Sequence, residues 1–259
     1  ARELDLAAAM HRRKEVMDLT AGGSDIGRYF QKQEQDESER APASAVVGSD
    51  VYILRLPSFN VRDGSIPWLV RGARGRAVMI IDLRGNRGGA VSVLNELLGQ
   101  VSSTDIPIGS LRERDSSVAQ VAKGAGRDAY DGRLFVLVDS ESASASEVFA
   151  RAIQLANRGT VIGDRTAGAV MISRFWTLEV GSGDNVIFYG TNVTVGDPVM
   201  SDGGRLEKTG VEPDFLVLPS AEDLANGRDP ALAQALKFAG HPMDADAAGK
   251  ILPRPPKSL

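Results

Sequence analysis

Two stretches of this sequence follow one plan: an unbroken apolar run of strand length, an aspartate, a turn rich in small polar residues, then apolar residues at helical spacing. The first is Ala77-Val78-Met79-Ile80-Ile81 and Asp82, then Arg84-Gly85-Asn86-Arg87-Gly88-Gly89, then Leu94, Leu97, Leu98 and Val101. The second is Leu134-Phe135-Val136-Leu137-Val138 and Asp139, then a serine-rich turn, then Ala145, Val148, Phe149, Ala152, Ile153 and Ala156. A strand that is apolar at every position has no face to give to water, so it must be covered on both sides. The spacing after each turn predicts an amphipathic helix that supplies such a cover. With a third short strand at Thr160-Val161-Ile162, the order strand, turn, helix, strand predicts an α/β fold with a parallel sheet.

Elsewhere the signals are local. Val51 to Leu56 reads as a strand stopped by Pro57, and residues 64–75 hold a short helix around Trp68-Leu69-Val70. After residue 170 the texture changes to alternation. Phe175 to Val180 and Val186 to Tyr189, joined by Gly181-Ser182-Gly183-Asp184, predict a β-hairpin. Asp229 as N-cap, Pro230 at the first helical position and Gly240 at the end predict a closing helix over 229–239. We divide the chain into an N-terminal segment and linker (1–46), a core (47–222), and a C-terminal helix and tail (223–259). The first piece carries a charged run from Gln31 to Glu39 and the punctuation Ala41-Pro42-Ala43-Ser44. The last ends in a loose, proline-rich stretch.

Composition narrows the function. Thirty basic and 34 acidic side chains leave a net charge of −4, which disfavours nucleic acid as a partner, since phosphate binding needs a surplus of Lys and Arg. No stretch approaches the ~20 apolar residues of a membrane-spanning helix. With no cysteine, thiolate nucleophiles, disulfides and Cys-ligated zinc are excluded. Two histidines, His11 and His241, are too few for a His-rich metal site, and no metal is expected.

In open α/β sheets ligands bind beyond the carboxyl ends of the strands, which is where both turns lie. Asp82-Leu83-Arg84-Gly85-Asn86-Arg87-Gly88-Gly89, followed by Ser142-Ala143-Ser144-Ala145-Ser146-Glu147 opening a helix, resembles the tail-specific (C-terminal-processing) serine peptidases, peptidase family S41. Two further blocks agree in order: Val161-Ile162-Gly163-Asp164-Arg165-Thr166-Ala167-Gly168, and Asp202-Gly203-Gly204 through Gly210-Val211-Glu212-Pro213-Asp214. The likeness runs from about Val46 to Leu218. It implies a ClpP/crotonase-like core of parallel strands with packed helices plus a β-hairpin region. It also implies a peptide or protein substrate, no cofactor, an oligomer as one possible state, and an extracytoplasmic (periplasmic or secreted) location. The family's preceding peptide-binding domain has no room in 46 residues, and residues 1–20 fit its last remnant.

The same resemblance puts the nucleophile at Ser144, the middle serine of Ser-x-Ser-x-Ser-Glu. A hydroxyl at a helix N-terminus lies in the positive end of the macrodipole, and the free amides of the first turn can receive an oxyanion. Ala145 would give one such amide and Gly88 or Gly89 the other. Arg165, Thr166, Gly168 and Ala169 would line the peptide. On spacing alone, Ser144 and Glu147 equally form an ordinary capping box, and Asp82 with Arg84 reads as structural.

One departure matters. The family's general base is a lysine in a Gly-Lys-Gly turn, and here the turn reads Gly168-Ala169-Val170. A serine hydroxyl is a weak nucleophile until a base takes its proton. Tricorn-like relatives use a histidine from elsewhere, which makes His11 the candidate base, although its neighbours Arg12, Arg13 and Lys14 suit a solvated surface. His241 is a weaker candidate, and Lys208 reads as facing solvent. Two other readings stay open: a catalytically silent relative that binds peptides or apolar ligands, and a crotonase-like acyl-transfer enzyme.

Overall fold

A computed structural model of the chain describes residues 41–182 and 185–253. Its framework is a six-stranded sheet in which β1 (Ala43–Val47) pairs antiparallel with β2 (Val51–Arg55). Beyond β2 the order is β3 (Val78–Asp82), β6 (Arg133–Val138), β7 (Thr160–Gly163) and β10 (Phe215–Leu216), all parallel. β1 begins inside the stretch that punctuation had assigned to a linker. Its alternating exposure marks a half-solvated edge strand, whose signal is weaker than that of a fully apolar run.

Successive strand residues point to opposite faces, so each apolar run divides in two. Val51, Ile53, Val78, Ile80, Phe135 and Leu137 face Leu232, Ala235 and Leu236 of the C-terminal helix α5 (Pro230–Ala239). Leu54, Met79, Ile81, Val136 and Val138 face the other layer, which includes α2 (Val91–Gln100) and α3 (Ala145–Leu155). Phe149 of α3 is fully buried there, tilted against Phe59 at 6.4 Å. A fully buried Leu, Ile or Phe contributes about 1.5–3 kcal/mol, which is why neither face tolerates a polar residue mid-strand.

The expected caps are present. Asp229 accepts the N–H of Leu232, Pro230 opens α5, and Gly240 closes it in the left-handed conformation. Asn157 ends α3 in the same region at φ 49°. The short helix near Trp68 is α1 (Ile66–Val70), continued by a 3₁₀ turn at Arg71–Ala73.

A second, antiparallel sheet stands beside the first. Its order is β5 (Ser117–Ala122), β4 (Ile106–Glu113), β9 (Asn185–Met200) and β8 (Ile172–Ser182). The expected hairpin is the β8–β9 pair, longer at both ends than alternation indicated. The β4–β5 pair was not legible in the sequence. Its exposed β5 residues mix small, polar and apolar side chains without a clear period. Two short helices, α4 (Ala221–Ala225) and α6 (Ala245–Gly249), complete the C-terminal layer. No helix among the described residues is long and apolar enough to cross a membrane.

Candidate active site

Asp82 pairs with Leu137, so β3 and β6 end side by side and release their turns at one edge of the sheet. The turns are stitched together. Leu83 donates its N–H to the Leu137 carbonyl at 2.9 Å, and Gly85 donates to Asp139 Oδ1 at 2.8 Å. Ser142 Oγ donates to the Leu83 carbonyl at 2.8 Å, and Ser146 Oγ to the Asn86 carbonyl at 2.9 Å. Ser142 and Ser146 are both fully buried. They are struts between the turns.

Ser144 differs from its neighbours. It is half-buried and lies on the wall of a cavity, and its backbone stands at φ 55°, ψ −118°. Such a conformation in a non-glycine residue costs about 1–3 kcal/mol and is the backbone arrangement of a nucleophile elbow between strand and helix. The capping-box arrangement with Glu147 is present, yet the hydroxyl makes no cap hydrogen bond. Instead the N–H of Glu147 lies on the Ser144 carbonyl at 2.9 Å. Capping and an available hydroxyl thus coexist at one residue.

Glu147 is the residue whose importance the sequence understated. It is fully buried, has no cationic partner among the described residues, and accepts four hydrogen bonds. Oε1 receives the Thr166 hydroxyl at 2.6 Å and the Gly168 N–H at 2.7 Å; Oε2 receives Ala169 N–H at 2.9 Å and Ser144 N–H at 3.0 Å. A buried carboxylate needs such donors, and these replace its water. A glutamate three residues after the helix-opening serine was the available signal, but it points equally to simple capping.

The two turn glycines separate by function. A Cβ on Gly88, whose φ is +93°, would fall 2.6 Å from Ser144 Cβ, so only glycine lets the turn approach the serine. The Gly88 N–H, however, is taken by Asn86 Oδ1 at 2.8 Å, while Asn86 Nδ2 holds the Leu56 carbonyl at 2.7 Å. Gly89 lines the cavity with Ser144 and Ala145, and its N–H has no acceptor among the described residues.

The 165–169 segment is occupied differently from the expectation of a peptide-lining strip. Arg165 pairs with Glu212 at 2.5 Å on the surface. Thr166 is buried, its hydroxyl spent on Glu147 and on the Val211 N–H at 2.6 Å. Gly168 gives its carbonyl to the Lys208 N–H at 2.8 Å, and Ala169 gives its carbonyl to the Ser144 N–H at 3.0 Å. None of these four residues lines the cavity; Val170 and Ile172 do. The backbone of this turn is used up in holding Glu147 and Ser144, so the surface open to a ligand begins one residue later.

The cavity holds about 650 Å³ of open space counted to its mouth. Leu94 of α2, Ile108 of β4, Val148 of α3, Val170, Ile172 and Met200 make it apolar. No residue that lines it carries a titratable side chain. His241 is accounted for elsewhere, with Nε2 2.8 Å from Asp50 Oδ1 at the amino end of β2, the sheet edge opposite Ser144. Lys208 is exposed. His11 lies outside the described residues. No group of acidic or histidine side chains able to hold a metal occurs among the described residues.

Asp82 and Arg84 are structural. The buried guanidinium bridges Asp82 at 2.8 Å and Asp229 at 2.6 Å, tying the first turn to the head of α5. Burial opposes the charge, but the two carboxylates outweigh it and raise the Arg84 pKa well above its ordinary value.

An elbow serine at a helix head, facing a glycine turn beyond the carboxyl ends of parallel strands, is the layout of a serine-nucleophile α/β protein. The comparisons make the assignment specific. The profile of Peptidase family S41 matches residues 50–217, and the chain belongs to that family. The Tail-specific protease of Haemophilus influenzae is 32% identical over 137 residues, which is 52% of this chain and 20% of that protein. The Carboxyl-terminal-processing protease of Synechocystis is 27% identical over 246 residues, covering 89% of this chain and 55% of that one. The chain thus spans about half or less of the length of these relatives. A crystal structure of a peptidase candidate from Parabacteroides merdae shares the fold, with a TM-score of 0.60 at 18% identity over 80% of this chain and 69% of that one.

Proposed function

We propose that the chain is the catalytic core of a serine-type peptidase that cleaves peptide bonds, in the manner of C-terminal-processing proteases, through an acyl-enzyme on Ser144. One observation carries the reading. Of the three serines of Ser142-Ala143-Ser144-Ala145-Ser146, Ser144 alone has a hydroxyl that is not bonded to the first turn, and it sits in an elbow on the cavity, beside amides without acceptors among the described residues. In this mechanism Ser144 Oγ attacks the scissile carbonyl as a base takes its proton. The developing oxyanion is received by the N–H of Ala145, unpaired by its place at the helix head, and by the N–H of Gly89. Collapse releases the amine product and leaves an ester on Ser144, which water hydrolyses. The substrate would lie extended along 170–175, at the start of edge strand β8, with one side chain in the apolar cavity.

The base is His11 in this proposal, because position 169 is alanine and nothing that lines the cavity titrates. The same two facts favour the second reading, a silent relative that binds peptides in the cavity. An extracytoplasmic location follows from the family and is part of the proposal. Intact-protein mass spectrometry after fluorophosphonate treatment decides between the readings. A single adduct, lost in Ser144→Ala and slowed at least tenfold in His11→Gln, is the expected result. An intact, unlabelled wild-type protein would overturn the peptidase reading in favour of the silent one.

A further inference from the structure

Every second residue from Val170 to Trp176 belongs to one row. Residues i and i+2 of a strand share a face, and Val170 and Ile172 line the cavity whereas Met171 and Ser173 do not. The next two members of the row, Arg174 and Trp176, are exposed. The register with β9 shifts between Ile172 and Ser173, whose partners are Gly196 and Thr194. The extra residue, Val195, therefore lies in β9, and alternation along β8 is unbroken. β8 has a strand neighbour on one side only, so the row runs beside an open sheet edge.

Charge along the row is one-sided. No residue that lines the cavity is charged, and Arg174 is the first charge met on leaving it. Its guanidinium lies over the Trp176 ring at 5.9 Å, which holds it on this face, and it makes no ion pair among the described residues. The carboxylates of the segments next to the cavity are engaged elsewhere. Asp197 pairs with Arg205, and Glu207 accepts the N–H groups of Val170 at 3.0 Å and Met171 at 3.3 Å.

We infer that Arg174 and Trp176 form a subsite for an acidic side chain, borne two residues along the substrate from the one that enters the cavity. This rests on the peptidase reading, in which a peptide lies extended against the start of β8. The side chains of such a peptide alternate as those of β8 do, repeating every ~6.6 Å, so the substrate and the row keep step. The side chain opposite Ile172 enters the cavity, and the one two positions away reaches Arg174. There the guanidinium donates to the carboxylate in a charge-assisted pair, and the Trp176 ring gives the methylene stem of a glutamate an apolar wall.

Isosteric peptides test it without turnover. Acetylated, amidated pentapeptides carry a central leucine among alanines, with Glu or Gln placed two residues before the leucine or two after it. They are titrated into the full chain bearing Ser144→Ala, to prevent hydrolysis, and Trp68→Phe, which leaves Trp176 as its only tryptophan and a local fluorescent reporter. The Glu member of one pair is expected to bind about three- to fivefold more tightly than its Gln partner at low salt. The preference should vanish in Arg174→Gln and at high salt, and persist in Arg174→Lys. Arg174→Gln removes no ion pair among the described residues, so its melting temperature should match the wild type; if it does not fold, the salt dependence and Arg174→Lys decide. Equal affinities within both pairs, a preference that survives in Arg174→Gln, or no fluorescence change with any peptide overturns the inference. So does a gain shown only by a neutral peptide with a free carboxyl end. Fluorophosphonate labelling is measured in parallel on the chain with Ser144 intact. A Glu preference without an adduct would keep the subsite and sink the peptidase reading, and an adduct without a preference would do the reverse.

Discussion

Glu147 Oε2 accepts the backbone N–H of Ser144 at 3.0 Å while Oε1 of the same carboxylate holds the Gly168 N–H at 2.7 Å. One buried side chain therefore sets both the elbow and the turn that closes over it. Glu147→Ala would remove the buried acceptor of the Thr166 hydroxyl and of the Gly168 and Ala169 N–H groups, while the Ser144 N–H would keep the Ala169 carbonyl. We expect a loss of about 3 kcal/mol or more, read as a lower urea midpoint, together with loss of fluorophosphonate labelling. A variant as stable as the wild type would show that the four bonds are replaceable.

At Gly88 the first turn leaves no room for a side chain beside Ser144. In Gly88→Ala the methyl group would fall 2.6 Å from Ser144 Cβ, at a φ of +93° that alanine rarely adopts. Destabilisation of about 1–3 kcal/mol is expected. Where the protein still folds, labelling of Ser144 should slow by about a hundredfold, since small misplacements are amplified in rate. Unchanged labelling kinetics would mean that the turn has room to retreat.

Arg84 holds the carboxylate of Asp82, 2 residues away in sequence, and that of Asp229, 145 residues away. Arg84→Met removes the cation that Asp82 and Asp229 share and leaves their buried charges uncompensated by it, and about 3–5 kcal/mol should be lost. Asp229→Asn should cost less, because asparagine keeps the cap on the Leu232 N–H. Equal unfolding midpoints for the two variants would contradict this ordering.

Asp202 anchors the helix that carries Ser144, through Arg151 at 2.5 Å. The Gly204 N–H and then the Arg151 guanidinium hold its pKa below the ordinary aspartate value of 3.8. A depressed folded pKa stabilises above the unfolded value, and the contribution fades as pH falls through the folded one. The melting temperature of Asp202→Asn should therefore lie below wild type at pH 7, by a small amount for a pair so exposed, and the gap should close below pH 3.8. A gap that widens in acid would reverse the assignment.

In our proposal Ala169 occupies the position of the base that a serine nucleophile needs, and its carbonyl holds the Ser144 N–H at 3.0 Å. Ala169→Lys should restore a base beside the hydroxyl. Labelling is expected to accelerate about a hundredfold and to rise with pH as the amine loses its proton. No acceleration, in a variant whose melting curve is intact, would show that the missing base is not what limits Ser144.

The sequence by itself determined whatever is encoded within a few residues. The apolar runs at 77–81 and 134–138 specified strands covered on both faces. The helical spacing after each turn specified α2 and α3. Asp229, Pro230 and Gly240 delimited α5, and the four ordered blocks identified the family. Tertiary structure decided everything that depends on partners far apart in the chain. Glu147 is a cap by local spacing, and only the return of 166–169 makes it the hub of the site. Gly88 and Gly89 are equivalent as letters, and the Asn86 side chain decides which N–H remains free. Thr166 and Gly168 look open to a ligand until Val211 and Lys208 arrive to occupy them. The cavity wall joins α2, β4, β9 and the 170–172 segment, none of which signals the others. Periodicity and capping are short-range physics and leave their mark in the letters, whereas the satisfaction of a buried hydrogen bond depends on which distant group folding brings to it.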